Sequence, residues 1–163
     1  MKIETRNVAD LKLDSTNARL HDQINLDAIA GSLEKFGQQK PIVITSAGRV
    51  LAGNGTLLAA RSLNWETIEV VIAPSTWDKQ TAKAYALADN RTSELASWNE
   101  NVLATQLLEL KETGFDTAAI GFPETAPADY EIKDLDEFPS FDDKEPTSHQ
   151  CPKCGYEWNG KTN

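Results

Sequence analysis

Between Pro41 and Ala73 the residue pattern switches repeatedly between strand and turn or helix character, and this stretch limits the fold more than any other. Pro41-Ile42-Val43-Ile44-Thr45 is a β-branched run that reads as a strand. Ser46-Ala47-Gly48 is a turn, and Arg49-Val50-Leu51-Ala52 returns as a second short strand, giving a hairpin. Gly53-Asn54-Gly55 then breaks the chain, with Thr56 in position to cap a helix over 56–63. Thr67–Ala73 is β-branched again, through Ile68, Val70, Val71 and Ile72. A hairpin, a glycine break, a helix and a returning strand exclude an all-helical fold and predict a small mixed sheet.

The flanking sequence supplies the covering elements. Residues 2–13 alternate loosely, predicting a first strand near 3–8, and Asp14-Ser15-Thr16-Asn17 is a turn. A helix is predicted over 25–36, with Asn25 as N-cap, Leu26, Ile29, Ala30, Leu33 and Phe36 on one face, and Gly37 just past its end. A second is predicted over about 77–90, capped by Ser75 or Thr76. A third spans 99–113 with a stripe of Val102, Leu103, Gln106, Leu107 and Leu110, and a short helix follows at 116–120. The expected class is α/β (α+β).

The chain has 163 residues, of which 40% are apolar, enough for one ordinary domain and an appendage. We expect a domain over 1–122, an acidic linker over 123–148 and a tail over 149–163. The linker is marked by four prolines and by eight acids at 129–145 against Lys133 and Lys144. No apolar run approaches the roughly 20 residues of a membrane helix, and Met1–Arg6 has no secretory apolar core, so a cytoplasmic protein is expected. The net charge is −9, so bulk electrostatics repel nucleic acid and any DNA role needs a local basic patch or a partner.

Several segments together carry a family resemblance. Asn17-Ala18-Arg19 is similar to the Asn-Pro-Arg near the start of the ParB N-terminal domain. Phe36-Gly37-Gln38-Gln39-Lys40-Pro41-Ile42-Val43 resembles the join between that domain's first helix and next strand. Gly48–Ala60, with Gly53-Asn54-Gly55-Thr56 inside it, is similar to its strand–turn–helix segment. Ala88-Asp89-Asn90-Arg91 with Trp98-Asn99, and Lys111–Phe122, look like the ParB-like proteins of phages and of DNA-methyltransferase neighbourhoods. The resemblance covers about 5–122 and implies the ParB/sulfiredoxin-like fold. It also implies a phosphate or nucleotide site, with magnesium, formed by Asn17, Arg19, Gln38, Gln39, Gly53, Asn54, Gly55, Thr56, Asp89, Asn90 and Arg91. Nucleotide-binding relatives carry an arginine in the turn where this chain has Thr56, so weak hydrolysis or none is expected. Sulfiredoxin chemistry needs a cysteine in that turn, which is absent.

Read from the residues themselves, the turn has two uses. Backbone N–H groups at the helix start can cradle a phosphate, or the glycines only supply positive φ and Thr56 a cap. Arg19 either meets an anion at that turn or closes its own loop. Arg91 either reaches a ligand or sits at a helix C-terminus that suits its charge. Gln38 and Gln39 either offer amide contacts or are simply exposed. His21 reads as an ordinary loop residue. At the other end, His149-Gln150-Cys151-Pro152-Lys153-Cys154-Gly155 resembles one knuckle of a zinc ribbon. Cys151 and Cys154, with His149 as a third candidate, leave zinc short of four ligands. Either a second chain completes a Cys₄ site, or the tail is metal-free.

The first functional reading is a non-enzymatic, DNA-associated adaptor or regulator in phage or mobile-element DNA processing. It would work with DNA or with a methyltransferase, a terminase, a partition ATPase or a second copy of itself. The alternative is a ParB-like nuclease or nucleotide hydrolase, with Asp14, Asp22 or Asp89 as candidate metal carboxylates.

Overall fold

The computed structural model describes residues 2–123, 149–150, 153 and 157–158. The chain divides into two units, Met1–Tyr130 and Glu131–Asn163. The first contains a four-stranded sheet: β1 (Ile3–Asn7), β2 (Ile42–Ile44), β3 (Val50–Ala52) and β4 (Thr67–Ile72), in the order β1-β4-β2-β3. β1 and β4 are antiparallel, β4 and β2 parallel, and β2 and β3 antiparallel, so the sheet is mixed as expected. Four helices accompany it: α1 (Gln23–Phe36), α2 (Asn54–Ser62), α3 (Lys79–Leu95) and α4 (Glu100–Glu112). The 116–120 helix is a single 3₁₀ turn, Ala118–Ile120.

The hairpin and return strand work because their alternate residues meet one core. Ile42, Ile44, Val50, Ile68 and Val70 lie beneath Leu57, Ala59 and Ala60 of α2 and Leu33 of α1. Leu57, Val50 and Val70 have no exposed surface, and each such side chain contributes about 1.5–3 kcal/mol of burial. Arg61 ties α2 back to the N-terminal segment by donating to the Leu11 carbonyl at 2.7 Å.

Three helix starts differ from the sequence reading. α1 begins at Gln23, because Asp22 rather than Asn25 is the cap; its carboxylate accepts from the Asn25 amide at 2.8 Å. α2 begins at Asn54, with Gly53 as N-cap in the left-handed region (φ 93°), so Thr56 lies inside the first turn and is not the cap. α3 begins at Lys79, capped by Asp78 onto the Thr81 amide at 2.8 Å, not by Ser75 or Thr76. It also runs on to Leu95, beyond the expected end near 90. α4 starts as predicted, with Asn99 accepting from Val102 at 3.2 Å.

In the second unit, His149–Gln150 pairs antiparallel with Glu157–Trp158, His149 opposite Trp158. Cys151, Cys154 and the linker from 124 to 148 lie outside the described residues.

Candidate functional site

The β3–α2 turn is shaped by two glycines with different jobs. A Cβ on Gly53 would lie 2.5 Å from Cγ2 of the buried Ile42, and its φ of +93° disfavours any other residue. Gly55 has no positive φ; it is small because His21 is there. A Cβ on Gly55 would fall 2.7 Å from the His21 ring and 2.9 Å from Ile29 Cδ1. His21 is also held by Asn25, with its Nδ1 2.7 Å from Asn25 Oδ1. The ring therefore packs on the first turn of α2, which local sequence could not show, because the two residues are far apart in the chain.

This turn opens on a cavity of about 180 Å³. Its wall carries Gly53, Asn54, Gly55 and Thr56 from the turn, Asn17, Arg19 and His21 from the loop before α1, and Asp89 and Asn90 from α3. The start of α2 contributes free N–H groups and the positive end of its dipole. Arg19 is anchored there: its Nη1 is 3.5 Å from a Glu94 carboxylate oxygen and 3.5 Å from the Asn90 carbonyl. The Asn17 side chain closes the loop, donating to the Arg19 carbonyl at 3.0 Å and accepting from its amide at 3.3 Å. Asn54 is buried and its Oδ1 accepts from the Asp14 amide at 3.1 Å, so this side chain holds the loop while its backbone starts the helix.

The remaining predicted positions lie elsewhere. Gln38 is used as a clamp on β4: its Oε1 accepts from the Glu69 amide at 2.7 Å and its Nε2 donates to the Glu69 carbonyl at 2.9 Å. The Gln39 amide donates to the Phe36 carbonyl. Both line a second depression of about 440 Å³, which shares Thr56 with the first. Arg91 is outside the cavity and pairs with Glu94 at 3.3 Å. The macrodipole reading of Arg91 fails, because α3 continues for another turn beyond it. Among the carboxylates offered for metal, Asp22 is a helix cap and Asp14 accepts from the Thr16 amide and hydroxyl at 3.0 and 2.7 Å. Asp89 is the one carboxylate residue on the cavity wall among the described residues. Among those residues no group of three or more His, Cys, Asp or Glu could hold a metal ion, and no helix is long and apolar enough to cross a membrane.

The truncated chromosome-partitioning protein ParB of Caulobacter crescentus, solved with CTP-γ-S, superposes with a TM-score of 0.62 over 76% of this chain and 73% of that one, at 18% identity. The fold is ParB-like. The ParB-like nuclease domain-containing protein YnaK of Escherichia coli K12 is 29% identical over 80 residues, covering 49% of this chain and 92% of the relative. The Caulobacter protein bound to the centromeric parS site has a TM-score of 0.46 at 18% identity, covering 74% of this chain and 65% of that one. No protein-family model matches the chain.

Proposed function

We propose that this ParB-like chain is a DNA-associated adaptor or regulator whose α2 cavity takes the phosphates of a nucleotide and hydrolyses them slowly or not at all. The observation that carries the reading is the convergence on one cavity of the first turn of α2, Arg19 and Asp89. Backbone N–H groups and the helix dipole favour an anion there. Arg19 supplies the positive charge, and under this reading Asp89, on the same wall, shares a magnesium ion with the phosphates. The likeness to a ParB that was solved with a CTP analogue supports a nucleotide as the anion. Slow turnover follows from Thr56: no side-chain cation in the turn stabilises charge developing on the outer phosphate. Partners in the cytoplasm, under this reading, are DNA or a DNA-processing protein such as a methyltransferase, terminase or partition ATPase in a phage or mobile element.

The test is calorimetric titration with CTP, ATP and their diphosphates, with and without magnesium, alongside a phosphate-release assay. Saturable binding without appreciable release supports the reading. No heat at millimolar nucleotide leaves the turn as a fold element only.

The nuclease reading rests on the likeness to the ParB-like nuclease domain-containing protein of Escherichia coli. It requires metal-dependent nicking of plasmid DNA that Asp89→Ala abolishes.

The tail carries a separate proposal: Cys151 and Cys154 bind zinc, with a second chain supplying two more thiolates. The hairpin formed by His149–Gln150 and Glu157–Trp158 supports it, since it brackets the Cys-x-x-Cys-Gly segment as a knuckle requires. His149 is the third donor should the site close within one chain. Purified protein should contain about one zinc per two chains, and Cys151→Ser should remove metal and dimer together.

A further inference from the structure

A second cleft, of about 450 Å³, lies between the 14–18 loop, β3 and α3. It shares Asn17, Leu51 and Asn90 with the α2 cavity but has its own charge: Arg49, Lys79 and Lys83 face it, against the single carboxylate of Asp14. Among the described residues, none of these three cations takes part in an ion pair. All three are exposed. Asp14 accepts from the Thr16 amide and hydroxyl and stays a charged carboxylate near Arg49, so it offsets one of the three cations and leaves the other two.

We propose that this cleft binds the phosphate backbone of a nucleic-acid strand. The inference rests on the DNA-associated reading above and gives it a surface. In a chain of net charge −9, a polyanion is repelled by most of the molecule and is directed to a cleft that gathers three cations against one acid. The geometry is that of a track. Lys79, Lys83, Ala86, Leu87 and Asn90 lie at helical spacing on one face of α3, a row about 16 Å long at 1.5 Å rise per residue. That row is longer than the phosphate tail of one nucleotide. Its lysines are one turn apart, and Arg49 adds a planar fork that matches phosphate oxygens. Beyond the lysines, Leu51, Ala86 and Leu87 make an apolar floor against which sugars and bases can rest. An acidic peptide would use the cations but would leave that floor without a partner of matching shape.

The test uses the full chain and a fluorescent single-stranded oligothymidylate of roughly 12 nucleotides, a length within the range one small domain covers. Anisotropy is followed against salt. Three phosphate contacts predict a slope of log K against log salt of about −2, at about −0.7 per contact. Lys79→Gln with Lys83→Gln should cut the slope by about 1.4, and Arg49→Gln by about 0.7. Because these side chains are exposed, the variants should keep the wild-type melting curve and the same CTP titration. A slope unchanged in the double variant, or displacement by a poly-glutamate peptide as effective as unlabelled oligonucleotide, overturns the cleft. In that case DNA association through another surface would still show as oligonucleotide binding by every variant, so the two readings fail separately. A wild-type chain that binds no oligonucleotide at low salt also overturns it, while the α2 cavity is judged by the nucleotide titration alone.

Discussion

Replacing Gly53 by alanine tests whether the β3–α2 turn is built as described. Two costs can be separated. The φ of +93° puts an alanine in a region that costs on the order of 1–3 kcal/mol for a residue with a Cβ. The new methyl would also lie 2.5 Å from Ile42 Cγ2 and 3.0 Å from Ile42 Cβ. Ile42 is only 3% exposed and sits in the core, so it has little room to retreat. Overpacking of this kind costs roughly 1–3 kcal/mol. The sum, about 2–6 kcal/mol, is a large part of the roughly 5–15 kcal/mol that holds an ordinary domain together. Urea unfolding of the Gly53→Ala chain should show the loss directly, with a fall in melting temperature on the order of 10 °C. The clash can be relieved without touching φ. Ile42→Leu removes the Cγ2 branch, so a double-mutant cycle with Gly53→Ala should recover part of the loss, by about 1 kcal/mol or more. A Gly53→Ala chain within about 0.5 kcal/mol of wild type, or a cycle with no coupling, would show that the turn is not packed on Ile42 as described.

Three further outcomes follow from other parts of the chain. Asp78→Ala removes the cap of α3 and should lower the urea midpoint, whereas Thr76→Ala should leave it nearly unchanged, because Thr76 is not the cap. Partial burial pushes the Asp14 carboxyl up, but hydrogen bonds from the Thr16 side chain and backbone and the charge of Arg49 outweigh it and leave its pKa below the ordinary 3.8. Its contribution to stability is therefore present above the unfolded-state value and is lost as pH falls through the lower folded value. Thr16→Val should raise the Asp14 pKa in an NMR titration and move that loss to higher pH. Gly55→Ala should displace the His21 ring, seen as loss of the contact between His21 and α2 in NMR, with little net change in stability, because alanine's better helix propensity offsets the lost packing.

Much of the fold was legible because the apolar residues repeat with clear periods. The β-branched runs at 42–44 and 67–72 and the stripe Ile29, Ala30, Leu33 could belong only to strands and a helix around one core. Helix starts were harder. Asp22, Asn25, Ser75, Thr76 and Asp78 are all good caps by type, and the choice depends on which amide the folded loop presents. The end of α3 was hidden because Arg91, Thr92, Ser93 and Glu94 bring no apolar residue to signal a helix. The loop and turn of the candidate cavity were visible as Asn17, Arg19 and Gly53–Thr56, carried by the resemblance. His21 was not, since its role comes from a contact with Gly55 made only in the folded chain. The basic cleft was hidden for the same reason. Arg49 on the hairpin and Lys79 and Lys83 on α3 form no run in sequence, and the net charge points the other way.

Calorimetric titration of CTP into three chains (wild type, Thr56→Arg and Thr56→Glu) tests the proposed phosphate site most directly. Thr56 lies in the first turn of α2 and on the cavity wall. A glutamate there suits the helix dipole and should leave the fold as stable as before, yet it sets a negative charge against the phosphates. An arginine should add one charge-assisted hydrogen bond, on the order of 1.5–3 kcal/mol, and so tighten binding by about tenfold or more. The account predicts affinities in the order Thr56→Arg, wild type, Thr56→Glu, with the glutamate chain fully folded and binding at least about tenfold more weakly than wild type. Equal affinity in all three, or tight binding by a folded Thr56→Glu chain, would contradict it.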